Sequence, residues 1–417
     1  MQILKSTGHI RPAHGVSGQN AWPDGRGDIT QEFLIDVTRL LGRFMRSRLP
    51  TGVDRVGLAY IKQFGDRSRA IIALGRHAVV LSKAESAKLF ELLLAPWKGA
   101  SSRAAWIVAW GVLRGMRSRL SSPSLLLNTG HRGLERHNYA ASLRKRGARP
   151  VFVLHDLIPI THAEYCRPGE AKRHWARVRH AATLGAGVIA NSEQTSRDFR
   201  RAAASIGLEV PPIVVAPLAP AIPAQAAVAC PVAGPYFVML GTIEPRKNHL
   251  LLLNIWRALA EQMGDAAPRL VVVGQRGWEC EQVLDLLERC AALGATVIER
   301  SHCSDDELAN YLLHARALLF PSFIEGFGLP LVEALALGVP VIASDIPVFR
   351  EVAGSVPEFV DPLDGLGWRD AVLDYIHPDS LRRAEQLRRI ADYEAPTWDS
   401  HMAEVERFLG ELVASPC

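Results

Sequence analysis

Apolar residues in the second half of the chain fall in short blocks that close on glycine or a polar residue and alternate with longer amphipathic stretches. Tyr236 to Leu240 is a buried-strand block ending at Gly241, and Leu250 to Met263 follows with Leu, Ile, Trp and Ala at helical spacing. Leu270 to Val273, closed by Gly274, predicts a second strand, and Val283 to Leu293 a second helix. Thr296 to Ile298, Ala317 to Phe320 and Val341 to Ala343 predict further strands. Ser304 with its acidic first turn opens one more helix, and Leu331 to Ala336 reads as another. The alternation is that of βαβ units, hence a parallel sheet covered by helices on both faces.

The first half is less regular. Ser124 to Leu127, Val151 to Leu154 and Gly187 to Ala190 predict strands at similar spacing, whereas Phe33 to Leu41 and Val53 to Gln63 suit strand or helix equally. An Ala/Pro-rich stretch from Pro217 to Pro235 reads as an interdomain linker. A last helix, roughly Trp398 to Leu412, follows Pro396. The fold expected is α/β, with two Rossmann-like doubly wound domains facing a cleft. Residues 1–218 with 398–417 would form one domain, and 219–397 the other.

Composition narrows the classes. At 417 residues the chain exceeds one ordinary α/β core, and 48% hydrophobic with 22% charged residues is the balance of a soluble globular protein. The apolar run Ala104 to Leu113 has about half the length of a membrane span. Residues 1–6 carry no apolar signal core, and the six cysteines are scattered without zinc-ligand spacing. Free thiols, a cytoplasmic location and no metal site are therefore expected. The net charge of +5 hides a division: residues 1–218 hold 33 basic and 15 acidic side chains, and the remainder 15 and 28. A basic half suits an anionic partner or a solvated surface. No helix-turn-helix, RNA-binding aromatic motif or zinc module points to nucleic acid.

Three segments carry candidate chemistry. Gly241-Thr242-Ile243-Glu244-Pro245-Arg246-Lys247-Asn248 lies between a strand and a helix, and sets two cations where the helix dipole favours anions. Arg246 can grip a phosphate through paired N–H bonds, with Lys247 as a mobile point charge; two solvated loop cations are the plain alternative. From Phe320 to Glu333 a strand enters a turn containing Gly326, Phe327 and Gly328, then a helix starting near Leu329. Glu325 sits at the strand end and Glu333 eight positions later, about two helical turns on. Either carboxylate could accept paired sugar hydroxyls, or cap a helix or face solvent. The third segment is Gly338 to Asp345.

Together these segments resemble the signature of the family-4 retaining glycosyltransferases, whose GT-B fold pairs two Rossmann-like domains. The resemblance covers about 110 residues, including a Glu325…Glu333 E-x7-E element. It implies that Arg246 and Lys247 bind the donor diphosphate, Glu325 contacts the transferred sugar and Glu333 the ribose. Gly241, Thr242, Gly326, Phe327, Gly328 and Leu329 would line the donor site. In the first half, His155-Asp156 after a strand resembles the family histidine beside the anomeric carbon, and Asn191-Ser192 is also family-like. Thr51 to Val56, with Gly52, resembles the family's glycine loop, set farther from the chain start than in many members. His155 alone would suit a structural, hydrogen-bonded histidine.

The expected reaction is hexose transfer from a nucleotide diphosphate sugar with retention, needing no cofactor. No carboxylate nucleophile stands out, so the resemblance implies front-face transfer. A lipid-linked or oligosaccharide acceptor of surface polysaccharide synthesis is expected, with mannose from a guanosine donor as the weaker expectation. Trp97 to Arg119, with Trp106 and Trp110 among cations, suits either a peripheral contact with an anionic membrane face or a buried helix. The competing classes are a nucleotide-sugar epimerase, a glycan phosphorylase and a non-enzymatic sugar-nucleotide sensor. A phosphorylase would need a pyridoxal lysine that the sequence does not advertise.

Overall fold

The computed structural model describes residues 32–414 except 48–49, 75–76, 98–100, 116–123, 136–138, 140–141, 144 and 223–227. The strands are β1 Phe33–Asp36, β2 Ser68–Leu74, β3 His77–Val80, β4 Ser124–Asn128, β5 Ala148–Leu154, β6 Gly187–Ala190 and β7 Ile213–Val215. After the linker come β8 Tyr236–Leu240, β9 Arg269–Val273, β10 Val297–Arg300, β11 Leu318–Phe320, β12 Val341–Ser344 and β13 Glu358–Val360. They form two sheets, ordered β3-β2-β1-β4-β5-β6-β7 and β10-β9-β8-β11-β12-β13. Every pairing is parallel except β2 with β3. The two doubly wound sheets expected from the alternation are both present.

Chain order reverses direction once within each sheet. In the first the reversal lies between β1 and β4, in the second between β8 and β11. Crossovers leave in opposite directions from such a point, so the strand C-termini open a crevice there. Those two crevices position everything that follows.

The ambiguous stretches resolve locally. Phe33 to Leu41 is both elements: buried β1, then helix Thr38–Phe44, the change being fixed where Thr38 N–H donates to Asp36 Oδ1 at 2.8 Å. Val53 to Gln63 lies within helix Gly52–Phe64. The Thr51 to Val56 segment, expected as a glycine loop, is instead this helix's first turn. Asp54 holds it there, accepting from the Thr51 N–H at 2.8 Å and from the Thr51 hydroxyl at 2.6 Å. The single helix expected over Val283 to Leu293 breaks at Cys290, whose extended backbone separates Glu281–Arg289 from Ala291–Gly294.

Core packing follows strand alternation. Phe237, Met239, Leu270, Val272, Leu319 and Ile342 of the second sheet meet Trp256 and Trp368 of the covering helices. Both buried indoles satisfy their N–H on a carbonyl, of Pro268 at 2.8 Å and of Asp361 at 3.0 Å. The last helix, Trp398–Ala414, leaves the second lobe and returns to the first sheet. A Cβ on Gly187 of β6 would come within 2.7 Å of Phe408 and Leu412, so glycine lets this helix lie against the strand. His401 locks the same packing, donating from Nδ1 to the Ala216 carbonyl and accepting at Nε2 from the Tyr60 hydroxyl, both at 3.1 Å.

Phe408→Ala removes a buried ring from this seam and should cost about 3–5 kcal/mol of stability. A urea titration followed by circular dichroism reads this as a lower midpoint; an unchanged midpoint would show that the helix adds nothing to the first lobe's core.

Candidate active site

The loop after β8 turns at Gly241, whose amide donates to the Val273 carbonyl at 2.9 Å, and passes the exposed Thr242. A short turn over Pro245–Lys247 then leads to Asn248, in left-handed conformation, and into helix His249–Met263. This turn swings Arg246 and Lys247 back over the strand ends, towards the loop after β11. Phe323 N–H donates to the Arg246 carbonyl at 2.9 Å, tying the two loops together at the β8/β11 crevice.

Four charged side chains meet there. Glu325 is placed between Arg246 Nη1 (2.7 Å) and Lys247 Nζ (2.5 Å), while Arg246 Nε pairs with Glu244 at 2.5 Å. Glu325, Glu244 and Lys247 are all buried. Burial alone would raise the Glu325 carboxyl, but Arg246 and Lys247 outweigh it and hold it at about 2. Burial is also the main influence on Lys247 and lowers its ammonium against the pull of Glu325. The Nζ further lies 4.8 Å from the centre of the Phe320 ring. Glu244 was overlooked by motif reasoning although it stands in the same octapeptide; an acid two residues before paired cations was the available signal.

Glu333 stands apart. It is buried in helix Leu329–Ala336, accepts from the Ala221 N–H at 3.3 Å and feels Arg55, which pairs with Asp305. Burial raises its carboxyl to about 7. The groups that act on it are therefore Ala221, Arg55 and Asp305. Asp345 of the third segment forms an exposed pair with Arg350, at 2.5 and 2.7 Å.

The first lobe supplies the opposite wall. His155 follows β5, is buried, and donates from Nε2 to the Thr129 carbonyl at 2.7 Å, which leaves Nδ1 as the acceptor. Burial lowers its imidazole, so the ring is neutral. Asp156 accepts from the Ile158 N–H at 3.1 Å and starts the short helix Ile158–Thr161. Asn191 donates to the His155 carbonyl at 2.9 Å. Ser192 caps helix Glu193–Ser205 through the Thr195 N–H (3.0 Å), and its hydroxyl donates to the Gly326 carbonyl at 3.0 Å.

Gly326 is one contact point of the lobes. A Cβ there would lie 2.1 Å from the His155 carbonyl oxygen and 2.8 Å from Asp156 Cβ, so only glycine permits this approach. Gly328, at φ +100°, turns the chain into helix Leu329–Ala336, with Phe327 buried beside it. Gly52 faces the same helix start, its ideal Cβ position lying 3.0 Å from Leu329 Cδ1. Two cross-lobe contacts had no sequence signal: Tyr165 stacks on Phe323 at 5.3 Å, and Glu351 accepts from the N–H groups of Glu193 (2.6 Å) and Gln194 (3.0 Å).

Residues 226–356 match the family model described as Glycosyl transferases group 1. The chain is similar to the serotype-specific mannosyltransferase WbdA of Escherichia coli, 32% identical over 228 residues that make up 51% of this chain and 28% of that one. It is also similar to O-antigen chain mannosyltransferase B of Escherichia coli, 33% identical over 165 residues, 40% of this chain and 43% of that one. The match thus spans less than half the length of either relative. Among solved structures, Anabaena HepE in complex with UDP and glucose aligns with TM-score 0.66 and 17% identity, over 91% of this chain and 100% of that one. Sucrose-phosphate synthase from Thermosynechococcus elongatus aligns with TM-score 0.64 and 16% identity, over 93% and 100%. The two-lobed arrangement is the GT-B fold.

The raised carboxyl of Glu333 makes a stability prediction. The native state holds this proton up to about pH 7, whereas a free glutamate releases it near 4.5, so stability falls as pH rises between those values. Glu333→Gln keeps the Ala221 contact without the charge. It should raise the melting temperature at pH 8, by an equivalent of about 1–3 kcal/mol, and change little at pH 4. Equal shifts at both pH values would contradict the burial of an ionised carboxylate.

Proposed function

We propose that this protein is a retaining glycosyltransferase of the family-4 type, moving a hexose from a nucleotide diphosphate sugar to a lipid-linked saccharide in surface polysaccharide synthesis. The observation that carries this reading is the buried Glu325 carboxylate held between Arg246 and Lys247 at the β8/β11 crevice, with the His155 backbone carbonyl packed against the neighbouring Gly326. The family match and the names of the mannosyltransferase relatives support it, and they favour mannose as the sugar.

A donor diphosphate entering the crevice takes over Arg246 and Lys247, freeing Glu325 to accept hydrogen bonds from sugar hydroxyls, while Glu333 receives the ribose. As the bond from the anomeric carbon to the phosphate oxygen breaks, charge gathers on the departing diphosphate. The two cations, with backbone N–H groups between Gly326 and Leu329, meet that charge without a metal. The acceptor hydroxyl forms the new bond on the same face and passes its proton to the leaving phosphate oxygen. His155 presents a neutral ring beside the anomeric carbon, adding no competing charge. Asp156 serves this geometry by fixing the turn that follows His155.

Membrane-face attachment is part of the proposal. Helix Ser101–Gly115 leaves Trp106 and Trp110 68% and 52% exposed, which suits an interfacial position on the inner leaflet. Lys98, Arg117 and Arg119 of the candidate segment lie outside the described residues. No helix among the described residues is long and apolar enough to cross a membrane.

Lys247→Ala and Glu325→Gln should each lower turnover at least a hundredfold in a protein that circular dichroism shows to be folded, with a lower melting temperature because a buried charge loses its partner; near-normal turnover in either variant would refute the assignment. UDP- and GDP-sugars screened by thermal shift should include one that raises the melting temperature of the wild type, because a bound donor stabilises the fold. In vesicle flotation, Trp106→Ser with Trp110→Ser should abolish binding to vesicles containing phosphatidylglycerol. Flotation of this variant at the wild-type level would remove the attachment.

A further inference from the structure

The first sheet has a crevice of its own at the β1/β4 reversal, and it is built from arginines. A cavity of about 550 Å³ opens there, lined by Arg39, Arg43, Arg46, Arg132, Arg173 and Arg177, with Gly130 and, among the described residues, one carboxylate, Glu135. The guanidiniums come from three places. Arg39 to Arg46 follow β1, Arg132 follows β4, and Arg173 and Arg177 project from helix Glu170–Leu184. No sequence motif joins them; the strand order does.

The charge in this cavity is not cancelled from within. Asp54 pairs with Arg39 and Arg43, both at 2.8 Å, Glu170 with Arg173 at 2.6 Å, and Glu135 with Arg177 at 3.8 Å. Among the described residues, the sum of these pairs is three carboxylates on four of the six lining guanidiniums, which leaves positive charge in excess. His131 and His174, which adjoin Arg177, are driven towards their neutral forms mainly by burial and do not alter that sum. Clustered guanidiniums in a concave site are suited to phosphate oxygens, which accept their paired N–H groups.

The cavity also adjoins the proposed reaction centre. Gly130 follows Thr129, whose carbonyl receives the His155 Nε2–H at 2.7 Å. On the other side Asp54 links Arg39 to Thr51, next to Gly52, which faces Leu329 of the second lobe. An acceptor with its charged end in the cavity could therefore extend a hydroxyl to the sugar beside His155.

We infer that the arginine-lined cavity at the β1/β4 crevice binds a phosphate or diphosphate group carried by the acceptor. The inference rests on the glycosyltransferase reading for the word acceptor, but the anion site stands on its own geometry. Lipid carriers and soluble phosphorylated saccharides both present this chemistry, and the cavity reads the phosphate rather than its attachment.

The test is calorimetric titration of the full chain with inorganic pyrophosphate, at saturating UDP or GDP so that the donor crevice is filled. Wild type should bind one pyrophosphate per chain, and Arg46→Gln with Arg132→Gln, both at exposed positions, should weaken that at least tenfold. A nucleotide-induced rise in melting temperature kept in the double variant shows an intact fold and donor crevice. No pyrophosphate binding to nucleotide-loaded wild type, or equal binding by the variant, would overturn the inference. Failure of nucleotide to stabilise wild type would instead count against the donor reading, with the pyrophosphate comparison still decisive for this cavity. Displacement of bound pyrophosphate then separates the sources: displacement by a polyprenyl phosphate in detergent micelles and not by a hexose phosphate assigns the phosphate to a lipid carrier, and the reverse assigns it to a soluble acceptor.

Discussion

One carboxylate shared by two cations organises the second lobe's crevice. Glu325 is answered by Arg246 and Lys247, and Glu244 by Arg246, so the buried quartet is electrically balanced at two positive and two negative charges. Taking any one of these groups out of water alone would be costly; together they tolerate burial because each has a partner at hydrogen-bond distance. The same contacts fix the loop after β8 against the loop after β11, which are neighbours only because chain order reverses between those strands. Sheet topology and local charge thus specify one another here.

The balance also sets what a ligand must bring. In the proposed reaction a diphosphate takes the two cations over from Glu325, exchanging one anionic partner for another, so they are at no stage left without a counter-charge. The neutral, hydrogen-bonded His155 on the facing wall fits that economy of charge. The first lobe is built differently, with guanidiniums in excess over carboxylates around a cavity that stays open.

Much of this architecture was legible in the sequence. The apolar blocks of β8, β9, β11 and β12 announced themselves through length and closing residues, and the octapeptide from Gly241 showed its cations in the right place. What escaped were features fixed by few atoms or by distant ones. Phe33 to Leu41 could not be divided because its boundary rests on one bond from Thr38 to Asp36. β2 opens on Ser68 and Arg69 before its apolar run, and β3, His77–Val80, has only four residues. Glu333 was correctly placed on a helix, yet its surroundings come from Ala221 and Arg55, which spacing cannot reveal. The arginine cavity gathers residues from positions 39 to 177 and exists only once the strands are ordered.

Glu351 acts as an internal stopper. Its two oxygens occupy the N–H groups of Glu193 and Gln194 at the start of helix Glu193–Ser205, a place where helix geometry would otherwise welcome a phosphate. With that seat filled by the protein itself, this helix start is closed to an outside anion. The carboxylate also stitches the second lobe to the first, so an anion could take its place only by breaking a link between the lobes.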